Sequence, residues 1–99
     1  MEPVLFRKTG DTKVVHLGLT GSCATITEVQ YTSAGGGSAN RNLWHVGVPN
    51  AAGDARLKFD GSTSIVVGTK LAITIRVGTL SGGNCLGGSS ATVQVQIVA

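Results

Sequence analysis

Charged side chains are scarce in this sequence: Asp, Glu, Lys and Arg make up 13% of its 99 residues, against about a quarter in typical soluble domains. A free-standing domain usually keeps a charged surface for solubility. The scarcity therefore indicates a chain that neighbouring molecules cover, as in a virion or a filament. The alternative is a small secreted or cell-surface domain whose surface is polar through Ser and Thr.

Other absences exclude further classes. No run of basic residues exceeds the pair Arg7 and Lys8, so the net charge of +3 permits an anionic polymer as partner without demanding one. With two Phe, one Tyr and one Trp, few rings are available to stack on sugars or bases. No apolar run reaches the length of about 18 residues that crosses a bilayer, so no membrane span is predicted. The first residues also lack the basic and apolar pattern of a secretory leader.

The dominant pattern that is present is strict alternation of apolar and polar residues. It is clearest over residues 55–60, 71–77 and 91–97, and this period is that of half-buried β-strands. Weaker strands are predicted at residues 3–8, 13–19, 24–32, 42–48 and 63–67. In residues 24–32 the alternation changes phase, which predicts a β-bulge near Thr27 and Glu28. No segment shows helical periodicity with caps.

Turn residues separate these segments and predict the connections. The sequence from Thr9 to Thr12 predicts a tight turn that makes the first two strands a hairpin, and Asp60 followed by Gly61 is the strongest hairpin signal. Residues 33–40 and 81–90 are rich in Gly and Ser and predict two flexible loops, where binding residues usually lie. Trp44 and Phe59 fall on inward faces and are expected in the core.

The pattern as a whole predicts one all-β domain over residues 1–99, an antiparallel β-sandwich of about seven to eight short strands. Jelly-roll and immunoglobulin-like arrangements both fit. Cys23 and Cys85 are candidates for one disulfide, which would be worth roughly 4 kcal/mol because it closes a long loop. Two reduced thiols, or a bond between subunits, remain alternatives.

No catalytic, cofactor or metal site is predicted. His16 and His45 lie in predicted strands, and nothing in their spacing from Cys23 or Cys85 matches a nucleophile and its base. The same four residues lack the close pairs of ligands that structural zinc sites use. The five acidic residues are scattered, without paired carboxylates or a calcium loop. The sequence therefore predicts a protein that is not an enzyme and has no cofactor.

Four cations project from the predicted outer faces of strands: Lys13, Arg56, Lys58 and Arg76. If their strands are neighbours, these residues form a basic face that suits nucleic acid or another anionic polymer. An ordinary solvated surface is the plainer interpretation.

The last predicted strand, residues 92–98, has no charge and no Pro. If it lies at a sheet edge, it lacks the devices that block strand addition and invites pairing with another chain. The first eight residues could likewise exchange with a neighbour. The leading hypothesis is a non-enzymatic subunit that forms homo-oligomers, either a virion coat or decoration protein or an extracellular filament subunit. Its expected location is a virion, the extracellular space or the cell surface. The alternative is a small module that binds a glycan or an anionic polymer through the Gly-rich loops or the basic face.

Overall fold

The structure is a computed structural model that describes residues 2–32 and 41–99. This part of the chain is built almost entirely of strands, joined by turns and one short 3-10 helix. The strands are β1 (Val4–Arg7), β2 (Asp11–His16), β3 (Cys23–Tyr31), β4 (Trp44–Val46), β5 (Asp54–Phe59), β6 (Lys70–Ser81) and β7 (Asn84–Val98), and the 3-10 helix Arg41–Leu43 precedes β4.

The strands form two sheets, a four-stranded sheet in the order β1-β7-β6-β3 and a three-stranded sheet in the order β2-β5-β4. The prediction of an all-β, sandwich-like domain is confirmed, but not every pair is antiparallel, because β1 runs parallel to β7. The prediction that the first two strands form a hairpin is wrong, because β1 and β2 belong to different sheets. Gly10 does make a tight turn, with φ at +117°, but this turn carries the chain from one sheet to the other.

The core lies between the sheets and consists of the alternate residues that the sequence pattern predicts. A single cluster of buried side chains draws on both sheets, with Leu57, Leu71, Ile73 and Ile75 fully buried. Each such side chain contributes about 1.5–3 kcal/mol through its removal from water. Trp44 joins the two layers: its ring is 5.2 Å from that of Phe6 and 4.4 Å from that of Phe59, measured between centroids. The inward positions predicted for Trp44 and Phe59 are confirmed.

The predicted β-bulge in the third strand is also present. The pairing of β3 with β6 shifts between Ile26 and Glu28, so Thr27 is the extra residue. The extra residue restores the phase, because Val29 then returns to the core opposite Ile73.

Residues 63–67 do not form the predicted strand. The Ser62 hydroxyl accepts hydrogen bonds from the backbone N–H groups of Ser64 and Ile65, and the Thr69 hydroxyl donates to the Val66 carbonyl at 2.6 Å. Such local bonds offer the backbone an alternative to a strand ladder. The turn at Asp60 accordingly begins no hairpin, and the chain crosses instead to the start of β6.

Candidate functional site at the edge of β7

A long hairpin joins β6 to β7, and it includes residues 81–90, the second of the two segments predicted as flexible loops. That prediction is wrong for residues 81–90, because Arg76 pairs with Ser90 and Leu80 with Cys85 in a ladder that continues almost to the turn. The turn itself is Gly82 and Gly83, both with positive φ, +57° and +82°. A two-residue turn of this kind matches the twist of the strands on either side.

The other glycines of this hairpin form a β-bulge. The pairing shifts between Val77 and Thr79, so that Gly78 of β6 lies opposite both Gly87 and Gly88 of β7. A Cβ on Gly78 would lie 2.5 Å from the Leu86 carbonyl oxygen, and one on Gly88 would overlap the Val77 carbonyl. Glycine is therefore required here by close backbone contact rather than by flexibility.

Beyond the bulge, the distal hairpin (residues 79–86) is fastened to the start of β3. Cys23 and Cys85 form a disulfide with a Cα–Cα distance of 5.7 Å, although β6 lies between their strands. Strands on either side of a third are normally about 9–10 Å apart, so the distal hairpin bends towards β3. The Ser22 hydroxyl accepts a hydrogen bond from the Leu80 N–H at 2.7 Å, which adds a second attachment.

β7 is only partly covered on the side away from β6. β1 pairs with it from Val95 to Val98 and no further. The Ile97 N–H donates to Thr69 on the β6 side, and backbone groups alternate in direction along a strand. Ser90 and Thr92 therefore direct their N–H and C=O groups away from β6, where no strand of the described residues meets them.

The condition on which the sequence argument depended, that the terminal strand lies at a sheet edge, is met only in part. Residues 95–98 lie inside the four-stranded sheet, between β1 and β6. The unpaired part is residues 89–93, which we call the free edge. Its sequence is Ser, Ser, Ala, Thr and Val. It contains no Lys, no Pro and no other charged residue, which are the common means of blocking strand addition.

The opposite edge of the same sheet, β3, is protected in three ways. It carries the bulge at Thr27, the charged side chain of Glu28 and a hydrogen bond from Arg41 Nη1 to the Thr27 carbonyl at 3.1 Å. In the three-stranded sheet, the edge strand β4 has only three residues. Short strands, charges and bulges all discourage pairing with another chain.

The other edge strand of the three-stranded sheet, β2, carries a charged cluster at its start. Arg7 Nε lies 3.2 Å and Lys13 Nζ 3.8 Å from Asp11 Oδ2. Burial raises the pKa of Asp11, but hydrogen bonds from Arg7 and from the Thr12 N–H outweigh this effect and hold the pKa below its ordinary value of 3.8. Asp11 therefore stays ionised and keeps two cations at this edge.

The four cations predicted as a basic face are divided between different surfaces. Arg56 and Lys58 share the outer face of the three-stranded sheet, but Lys13 lies opposite the buried Leu57 and so projects from the other side of its strand. Arg76 is on the outer face of the other sheet. Its Nη1 donates to the carbonyls of Cys85 and Gly87 at 3.0 and 2.8 Å.

Each histidine contacts one carboxylate. His16 Nδ1 is 2.7 Å from Asp54 Oδ1, and His45 Nε2 is 2.7 Å from Asp60 Oδ2. Within residues 2–32 and 41–99, neither histidine is hydrogen-bonded to a hydroxyl or thiol, and both cysteines are oxidised. The same part of the chain contains no group of three or more His, Cys, Asp or Glu residues arranged to hold a metal ion.

Comparisons with known protein families, characterised proteins and solved structures find no match to this chain.

Of the two predicted Gly-rich loops, the first, residues 33–40, lies outside the described residues. The described part has no helix long and apolar enough to cross a membrane. The free edge is the candidate site. Its lack of charge is visible in the sequence, but all of β7 is uncharged, so composition does not single out residues 89–93.

Proposed function

We propose that this protein is a non-enzymatic structural subunit that self-associates by β-strand addition at the free edge, as a virion coat or decoration protein or an extracellular filament subunit would. The observation that carries the proposal is the orientation of Ser90 and Thr92. Their backbone N–H and C=O groups point sideways from β7, away from β6, in the plane of the sheet. An added strand pairs such groups and supplies affinity through main-chain hydrogen bonds.

The surface chemistry supports the same proposal. The free edge has small, uncharged side chains, so a neighbouring strand can approach without removing a charge from water. Leu80 and Leu86 of the distal hairpin are 57% and 54% exposed, which leaves apolar surface next to the free edge. A subunit covered by neighbours also has little need of the charged surface that this chain lacks.

We further propose that the sandwich is of the immunoglobulin-like type rather than a jelly roll. A four-stranded sheet with the order β1-β7-β6-β3 faces a three-stranded sheet with the order β2-β5-β4. This order matches the two sheets of immunoglobulin-like domains with the first strand moved to pair with the last. The disulfide departs from that type, because it joins β3 to β7 rather than crossing between the sheets.

A second candidate function is binding of an anionic polymer or glycan on the outer face of the three-stranded sheet. It is supported by Arg56, which forms no ion pair among the described residues and lies between Val14 and Val48, 65% and 57% exposed. Titration with heparin or single-stranded DNA at low salt tests it. An Arg56→Ala variant that binds as well as the wild type would exclude this surface.

The test of strand addition is sedimentation velocity up to about 1 mM protein, because a short edge contact is expected to associate weakly. Thr92→Pro removes an N–H that makes no bond within the molecule, so the fold should tolerate it. We expect the Thr92→Pro variant to associate at least about ten-fold more weakly than the wild type, because the contact between two chains loses its hydrogen bonds at this residue.

Thr92→Val is the matched control. It loses the same hydroxyl, which lies 3.5 Å from that of Thr74, but keeps the N–H, and should associate like the wild type. A wild-type protein that remains a 10.0 kDa monomer throughout would overturn the proposal, as would equal association of the Pro variant.

A further inference from the structure

We infer that the partner at the free edge is a second copy of this chain, placed antiparallel by a two-fold axis that passes beside Ala91, so that the assembly unit is a closed dimer. This inference rests on the proposed self-association and specifies its register and symmetry.

The two ends of the free edge determine the register. At one end, the bulge at Gly87 and Gly88 interrupts the strand. At the other end, β1 begins to cover β7 at Val95. A two-fold axis at Ala91 places residue 88 of one copy opposite residue 94 of the other. The bulge of each copy therefore lies beside the start of β1 in the other copy. The distal hairpin bends away at this bulge, and two strands can therefore pair over residues 89–93 without overlapping β1.

The side chains suit this register. Ser90 of one copy would lie opposite Thr92 of the other, in the positions whose N–H and C=O groups point outwards, giving about four backbone hydrogen bonds across the axis. Ser and Thr side chains opposite each other can also hydrogen-bond. Ala91 would face its own counterpart, and no charge would meet a like charge anywhere along the contact.

The protection of β3 explains why association is expected to stop at a dimer rather than continue into a filament. A filament requires two different surfaces that fit each other repeatedly, whereas a two-fold contact uses the same surface on both copies. Among the described residues of the four-stranded sheet, the free edge of β7 is the stretch without such protection. β3 carries Glu28 and the bond from Arg41 to Thr27, and the edge strand β1 has only four residues, follows Pro3 and ends at the charged Arg7. One available edge per copy leads to a dimer that joins two sheets into one.

Cysteine cross-linking of the otherwise intact protein tests the register. In the inferred dimer, the two Ala91 residues form a non-hydrogen-bonded pair with Cα atoms about 4.5 Å apart, within the range of a disulfide. Ala91→Cys should therefore give a covalent dimer under mild oxidation, with the bond between the two introduced thiols verified by peptide mass mapping. Gln94→Cys on the same strand is the control, because its two copies would lie about 20 Å apart.

The outcomes separate this inference from the proposed function. Rapid cross-linking of the Ala91 variant, with sedimentation that stops at the dimer, supports it. Species that continue to grow beyond the dimer, or equal cross-linking of the Gln94 variant, would overturn the two-fold register and leave strand addition standing. A wild-type protein that stays monomeric at about 1 mM would overturn both.

Discussion

Two stretches of the four-stranded sheet leave one side of a strand without a neighbouring strand: the edge strand β3 and residues 89–93 of β7, beyond the end of β1. Every edge strand exposes backbone groups that another chain can pair with. β3 handles this within the molecule, through a bulge, a charge and the guanidinium of Arg41. β7 relies on β1 over residues 95–98 and leaves residues 89–93 unpaired. Under the proposed strand addition, a second copy would supply the protection that residues 89–93 lack within the molecule.

The largest expected effect comes from removing the cover that β7 already has. Phe6 fixes β1 to the core, where it is fully buried, and Phe6→Ala should cost about 3–5 kcal/mol of unfolding free energy. Loss of β1 would also extend the unpaired edge along residues 95–98, so we expect stronger self-association together with lower stability. Chemical denaturation and sedimentation measure the two effects.

Leu5→Ala on the same strand is the control for this variant. Leu5 is half exposed, and its truncation should change stability by about 0.5 kcal/mol or less. If the Phe6 variant lost stability but associated no more strongly than the wild type, β1 would not be what limits the free edge.

The second effect concerns the disulfide that links β3 to β7. A double Cys23→Ser, Cys85→Ser variant should lose about 2–5 kcal/mol, because the bond constrains a loop with a sequence separation of 62 residues in the unfolded chain. Thermal unfolding measures the loss, and the reduced wild-type protein serves as its control. A melting temperature equal to that of the oxidised protein would show that the hydrogen bond from Leu80 to Ser22 suffices to hold the distal hairpin.

The smallest effect tests the protection of β3. Arg41→Ala removes the hydrogen bond to the Thr27 carbonyl and should cost about 1 kcal/mol. We expect the exposed carbonyl to make β3 a second pairing edge, so that species larger than a dimer form at high concentration. Arg56→Ala removes the same charge from an exposed position and should remain dimeric. Identical sedimentation of the two variants would contradict a protective role for Arg41.

How much of this fold the sequence predicts depends on the range of the interactions involved. Alternation over residues 71–77 correctly predicts β6, because burial of one face imposes a period of two. The phase change at Thr27 likewise predicts the bulge, since both are local properties of one strand. The pairing of β1 with β7 is a long-range choice between two possible partners, and the turn at Gly10 does not determine it.

The candidate site shows the same limit. The absence of charge in residues 89–93 is visible in the sequence, but where β1 stops covering β7 is not. The glycines of the hairpin are ambiguous in the sequence for a different reason. Gly87 and Gly88 have the composition of a flexible loop, yet Gly88 is required by its close contact with β6, and Gly87 adopts a positive φ of +62°. The four cations could not be assigned to faces without knowing that Arg76 belongs to the other sheet.

The parallel pairing of β1 with β7 also has a consequence for the order of folding. Phe6 pairs with Ile97, about 90 residues further along the chain, so β1 cannot reach its final surroundings until β7 has joined the sheet. Contacts between distant parts of a chain form slowly because the intervening loop must close first. Until β1 adds to the sheet, β7 is exposed on one side over its whole length, and this intermediate is therefore the most aggregation-prone stage of folding.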